Sequence, residues 1–303
     1  MIKYINNALL HGMRTVFYNG KFVLLLWTFN LVSALILAVP IYNMLFDNLG
    51  TSLMSKNLIE QFDLLWYAQL RNLYSIHFDQ LTTSIYAVTA VYTFFQTFFV
   101  GGLISIFHLP EKNHMVDFFY GGVKYFWRFA KVLVICVILL FIAFEVNYYL
   151  GELISLIFSE SENVTGDFIL KFIRYILLIF FIGIVIMISD YSKVNMAVHD
   201  KTKVLTTILD SMKFIIRNFS KVFIVFLIIS ILGAIGVIVY NILGKLIPRT
   251  PSYYLIISII LQQMLIIFRL FIRMYFFSTA VSIFKDLDAK FVNADIERSE
   301  QKL

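Results

Sequence analysis

The chain has 303 residues, 60% of them hydrophobic and only 15% charged, with a formal net charge of +6. A soluble domain carries roughly 45–50% apolar and about 25% charged residues, so soluble globular folding is excluded as a starting point. The apolar runs exceed the roughly 20 residues that carry a helix across a bilayer and lack the alternation of an outer-membrane barrel, which leaves an all-α integral membrane protein. Cys136, the one cysteine, falls inside an apolar run and makes an intramolecular disulfide or a CxxC site impossible.

Residues 1–19 space Ile2, Ile5, Leu9, Met13 and Val16 at helical intervals, with Lys3, Asn6, Asn7 and Arg14 largely opposite. That pattern predicts a helix lying in the membrane interface rather than a cleavable signal, which would have a basic stub, an apolar core and a small-residue cleavage site. The first span is expected over about 22–46, with Pro40 kinking the helix or ending its regular part. In the connection that follows, Leu58, Phe62, Leu65, Trp66 and Leu73 form an apolar stripe that predicts another interfacial helix. The second span covers about 83–109, with Thr89, Thr93, Gln96 and Thr97 on one face and Gly101–Gly102 allowing close helix contact.

Residues 124–138 join a basic amphipathic lead-in directly to the third span, about 131–150. Lys124, Arg128 and Lys131 share one helical face, and Val123, Phe126, Phe129 and Ala130 lie mainly on the other. The fourth span is expected over about 168–188, followed by a polar connection, DYSKVNMAVHDKTK. A lead-in with Lys213, Arg217 and Lys221 then opens the fifth span, about 222–243, and a sixth starts near Tyr253. Residues 286–303 read as a charged cytoplasmic tail.

Three copies of one plan emerge: three hairpins of spans, each preceded by an interfacial amphipathic helix, in units of about 1–109, 110–190 and 191–285 of a single six-span domain. Arg14 and Lys21 align with Lys124 and Lys131 at a constant offset, while Lys213 and Lys221 need one extra residue. Seventeen Lys and Arg lie before the first span, in the even connections and in the tail, against four in the odd connections. The positive-inside rule therefore predicts cytoplasmic N- and C-termini.

The pieces FVGGLISIF, FFYGGVKYFWR, DYSKV and ILDSMKFIIRNFSK resemble a loose family of bacterial six-span proteins related to the membrane domain of some glycerophosphodiester phosphodiesterases. The resemblance implies a multi-pass protein of the bacterial inner (cytoplasmic) membrane and contributes no catalytic residues, because catalysis in those phosphodiesterases belongs to a separate soluble domain.

No GxSxG, HExxH, Cys/His pair or paired intramembrane carboxylate occurs, so no catalytic site, cofactor or metal is expected. His108 and His114 flank Pro110 and Glu111 without a metal-binding spacing. Glu145 is the carboxylate well inside a span: a coupling site, or a structural group facing the bundle. Arg269 and Arg273, one turn apart, either hold an anion between helices or snorkel to the interface. With Thr93 and Gln96 these residues make a candidate intramembrane polar site. Lys124, Arg128, Lys131, Lys213, Arg217 and Lys221 are candidate contacts for anionic headgroups on the cytoplasmic face. The function expected is a non-enzymatic, lipid-interacting scaffold or subunit of a membrane complex, with a protein partner or a second copy of the chain and without nucleic acid. The alternative is a transporter or permease subunit for a small or lipid-like molecule.

Overall fold

A computed structural model describes residues 2–50, 63–109, 114–158, 164–248 and 253–300. Leu58, Phe62, Pro110 and Glu111 lie outside them. The described residues form nine helices and no strand: α1 (Ile2–Tyr18), α2 (Gly20–Leu49), α3 (Leu64–Leu73), α4 (Ser75–His108), α5 (Met115–Ile157), α6 (Val164–Val198), α7 (Val204–Arg217), α8 (Phe219–Leu246) and α9 (Tyr254–Glu300). Six stretches are long and apolar enough to cross a membrane: Gly20–Asp47, Phe78–His108, Met115–Ile157, Val164–Val198, Phe219–Leu246 and Tyr254–Ala289.

Five begin within about five residues of where the sequence placed a span, whereas the third begins at Met115, sixteen residues before the expected 131, because the basic lead-in and the span are one helix. The 43 residues of α5 extend about 64 Å at 1.5 Å per residue, twice a hydrocarbon core of roughly 30 Å. Pro40 sits inside α2 without ending it. Asp63 caps α3 by accepting from the Leu65 and Trp66 amides at 2.9 and 3.2 Å. Of the stripe expected there, Leu65 and Leu73 are exposed, and Leu70 is the residue α3 buries. The helix α9 continues to Glu300, through most of the stretch read as a tail.

Two breaks in helix have one cause. At Asn19, between α1 and α2, the backbone takes φ −101°, ψ 23°. The Asn19 side-chain amide donates to the Thr15 carbonyl at 2.8 Å. At Asn218, between α7 and α8, the values are φ −113°, ψ 24°, and the amide donates to the Phe214 carbonyl at 3.2 Å. Asparagine competes with the helix for backbone groups, which is why it suits such bends. In α5 the corresponding position is Phe129, fully buried, and that helix runs straight through.

The chain divides into two compact units. The first comprises residues 1–12, 100–226 and 277–303. Its centre is formed by three helix ends that are buried almost all round: 100–107 of α4, 185–197 of α6 and 277–284 of α9. A helix buried on every side belongs in a core. Each end is backed by another helix through small side chains. Gly101 and Gly102 meet α5, where added Cβ atoms would lie 3.1 Å from the Gly121 carbonyl oxygen and 2.6 Å from that of Phe118. Asn195 of α6 donates to Ser211 of α7 at 3.1 Å. A Cβ on Gly12 of α1 would lie 2.2 Å from the Thr279 hydroxyl oxygen of α9.

The second unit comprises residues 13–99 and 227–276. In it α9 packs one face on α8, with the Phe268 ring over Gly236 and Ile272 against Gly233. Another face meets the α1–α2 segment through Phe271 against Phe17, with ring centres 5.1 Å apart, and through a Trp27 indole N–H donated to Gln263 at 2.9 Å.

Candidate functional site

The second unit gathers polar groups around Tyr92. Tyr92 and Gln96 are one turn apart on α4, and the Gln96 amide donates to the phenol oxygen at 2.7 Å. The phenol in turn donates to the side-chain carbonyl of Asn30 on α2. The Asn30 NH₂ is spent on the Leu26 carbonyl at 2.9 Å, which fixes the amide orientation. Phe29 stacks on the Tyr92 ring at 5.9 Å. Arg269 and Arg273 of α9 are exposed in the same unit.

Of the five residues the sequence proposed, Gln96 hydrogen-bonds Tyr92, and Arg269 and Arg273 lie exposed on α9 of the same unit. Thr93 returns its hydroxyl to the Thr89 carbonyl of its own helix at 2.8 Å. Glu145 belongs to the first unit, half-buried on α5. Tyr92 and Asn30, which join the site together, were missed, because a tyrosine and an asparagine in apolar runs read as ordinary span residues.

The basic lead-ins are engaged unequally. Lys124 and Arg128 converge on one carboxylate, that of Asp200, at 2.9 and 2.7 Å. Arg128 also donates to the Lys201 carbonyl at 3.2 Å. Asp200 occupies the left-handed region, φ 51°, just past α6, and Lys201 N–H reaches back to the Met196 carbonyl at 3.2 Å. This six-to-one closure is the turn that usually ends a helix with glycine. Hydrogen bonds from Lys124 and then Arg128 hold the Asp200 carboxyl below its ordinary range. Lys201 holds Asp210 in the same way at 2.9 Å. Lys131, Lys213 and Arg217 are exposed. Lys221 lies over the Tyr4 ring at 5.9 Å. Burial, with the nearby Asp286 carboxylate, pushes the Tyr4 phenol up to about 12.

The segment DYSKVNMAVHDKTK departs from its reading as a connection. Its first nine residues continue α6, and Asp190, Ser192, Lys193 and Asn195 are among the most buried groups of the chain. Asp190 and Lys193 pair at 3.3 Å with 3% and 9% of their side chains exposed. Cys136 and Ser189 are buried as well. Hydropathy ends a span where charge begins, and an internally paired charge defeats it. Beyond lies a chain of contacts: Asp288 to His199 at 2.9 Å, His199 to Asn195 at 3.0 Å, and Asn195 to Ser211. At the end of α4, the His108 carbonyl accepts from Lys285 at 2.5 Å, a cation placed at the negative end of a helix. Among the described residues no group of three or more His, Cys, Asp and Glu is arranged to hold a metal ion.

No family model, curated protein or solved structure matches this chain. Its class is nonetheless defined by the fold: an α-helical, multi-pass membrane protein.

Proposed function

We propose that the chain is a non-enzymatic, lipid-interacting scaffold of the bacterial inner membrane, built from three related hairpins, with both termini in the cytoplasm. The filled core of the first unit carries this reading: Phe118, Phe129, Tyr191, Phe277 and Phe284 are all fully buried, together with the Asp190–Lys193 pair. A centre packed with large aromatic side chains suits a fixed platform rather than a path for cargo. Exposed Lys131, Lys213 and Arg217 supply charge for an anionic leaflet, each surface cation contributing about 1 kcal/mol.

Matching positions support the triplication. Aligning Asn19 with Asn218 pairs Ala8, Gly12 and Val16 with Thr207, Ser211 and Ile215, and past the bend Phe22 with Val222, all buried in both copies. The extra residue of the third copy then falls after the bend, between Asn218 and Lys221. In the second copy Phe118, Gly122, Phe129, Val132 and Cys136 are buried at the places of Ala8, Gly12, Asn19, Phe22 and Leu26. A small residue recurs where each lead-in helix is buried: Gly12, Gly122, Ser211. The resemblance to the membrane domain of the phosphodiesterases is consistent with the six-span reading.

The experiment is reconstitution of the full chain into nanodiscs containing a mixture of anionic and zwitterionic lipid, followed by lipid analysis of the annulus. Enrichment of anionic lipid that falls with salt and with the combined Lys131→Gln, Lys213→Gln and Arg217→Gln changes is expected. An annulus with the bulk composition contradicts the proposal. A permease is the second reading, favoured by the polar cluster at Tyr92. It requires cargo-dependent protection of that cluster.

A further inference from the structure

Within the first unit, the end of α9 is fastened by a run of hydrogen bonds whose directions follow from what each atom can donate. The Ser211 hydroxyl donates to the Thr207 carbonyl of its own helix at 2.8 Å. Its oxygen is left to accept, and it does so from the Asn195 NH₂ at 3.1 Å. The Asn195 carbonyl oxygen then faces His199 Nδ1 at 3.0 Å, so that nitrogen donates. On the other side of the ring, Nε2 stands 2.9 Å from the Asp288 carboxylate, a second acceptor. Ser211 and Asn195 are buried, which holds this orientation from inside, while His199 and Asp288 keep 37% and 35% of their side chains exposed.

An imidazole that donates from both nitrogens is the protonated form. With the shared proton on Asp288 instead, the pair still holds one proton more than a neutral ring beside a carboxylate. Losing that proton removes the charge pair and disturbs a bond in either tautomer. With Nδ1–H kept, the Nε2 lone pair meets the carboxylate. With Nε2–H kept, the Asn195 amide turns over and the Ser211 hydroxyl leaves Thr207. The other charged groups on the surrounding helices have their own places. Asp200, the next residue, is held by Lys124 and Arg128 of α5, and Lys201 by Asp210 of α7. Lys285 of α9 donates to the carbonyl of His108, the titratable group at the end of α4, and Asp286 of α9 is exposed. Lys285 and His108 oppose a charge on His199, and Asp200 and Asp286 favour it, but Asp288 is the carboxylate in contact.

The pair closes the last buried turn of α9. Phe284 packs against the edge of the His199 ring, with centres 5.7 Å apart, and against Phe214 of α7 at 4.8 Å. Leu287 is buried beside Asp288, and beyond them the helix runs on to Glu300. We propose that His199 and Asp288 form a pH-sensitive latch, which fastens the end of α9 in acid and releases it as pH rises. Histidine changes charge between about pH 5 and 8. Bonds that need the protonated pair are present below that range and are lost as pH climbs through it. The latch uses none of the residues assigned to lipid contact, so the two readings fail independently.

The test is thiol labelling of the full chain in nanodiscs, with Cys136→Ala and a single Leu287→Cys, at about pH 5.5 and about pH 8.5, toward either end of the histidine range. A separate Leu205→Cys protein, altered at an exposed position of α7, corrects for ionisation of the thiol. The corrected rate at 287 is expected to rise about three- to fivefold with pH, the upper range for a partly exposed ion pair. In the Asp288→Asn background labelling is expected to be fast at both pH values, because the charge pair is gone. A rate at 287 that stays flat with pH, or that rises equally in Asp288→Asn, overturns the proposal. Should Leu287→Cys fold poorly, melting of the unaltered chain and of Asp288→Asn answers the same question. Wild type is expected to melt above the variant at the lower pH and level with it at the higher. A gap of the same size at both overturns the latch.

Discussion

Asn19 and Asn218 bend the chain in the same way, each donating its side-chain amide to the carbonyl four residues earlier in nearly the same backbone conformation. The bond competes with regular helix at each break. Phe129, which offers no such bond, lies in unbroken helix.

Replacing Asn218 by alanine therefore removes the competitor and leaves the helical alternative open. A loss of about 1 kcal/mol is expected for one side-chain hydrogen bond, read as lower thermal stability in detergent. Asn218→Asp, which cannot donate to the Phe214 carbonyl, is expected to be at least as damaging. Unchanged melting in both would remove the bond as the cause of the bend.

Asp200 combines a strained backbone with two cationic partners. Asp200→Gly relieves the left-handed residue while losing the partners, and a near-neutral result is expected. Asp200→Ala loses both and is expected to cost about 1–2 kcal/mol. The sign of the pH effect follows from the depressed carboxyl. Its contribution is present above the unfolded carboxylate value of about 3.9 and disappears as pH falls through the lower folded value. Melting curves of wild type and Asp200→Asn should therefore converge in strong acid. Curves that stay parallel would show that the pair contributes nothing.

The Asp190–Lys193 pair is far more sensitive, because either partner alone leaves a buried charge. Asp190→Asn or Lys193→Met is expected to cost about 3–5 kcal/mol, and replacing both with apolar residues to recover most of it. A double-mutant cycle on melting temperature measures this directly. Additive losses would mean that the two charges do not compensate each other.

The glycines divide by what surrounds them. An alanine at Gly102 must displace the Phe118 backbone, whereas Gly244 has open space around its missing Cβ. Gly102→Ala is expected to lower stability by about 1–3 kcal/mol through overpacking. Gly244→Ala should be neutral or stabilising by up to about 1 kcal/mol from helix propensity. The reverse order would contradict the packing of α4 on α5.

Six spans were legible in the sequence because long apolar runs have few alternatives, and Gly101–Gly102 announced a close helix contact. What escaped notice was polar and internal. Asp190 and Lys193 looked like the start of a loop, since hydropathy records charge but not the partner that neutralises it. The candidate site was half visible: Gln96, Arg269 and Arg273 stand out in apolar helices, whereas Asn30 and Tyr92 acquire meaning only once α2 and α4 are side by side.

The measurement that bears most directly on a scaffold gripping the cytoplasmic leaflet is sidedness. With Cys136 replaced by alanine, single cysteines at Lys203 and Lys245 are offered to a membrane-impermeant thiol reagent in intact cells and in inverted vesicles. Labelling at 203 only in inverted vesicles and at 245 only in intact cells is the expected result. The opposite pattern, or both positions on one side, would contradict it and place the basic helices away from the leaflet they are proposed to hold.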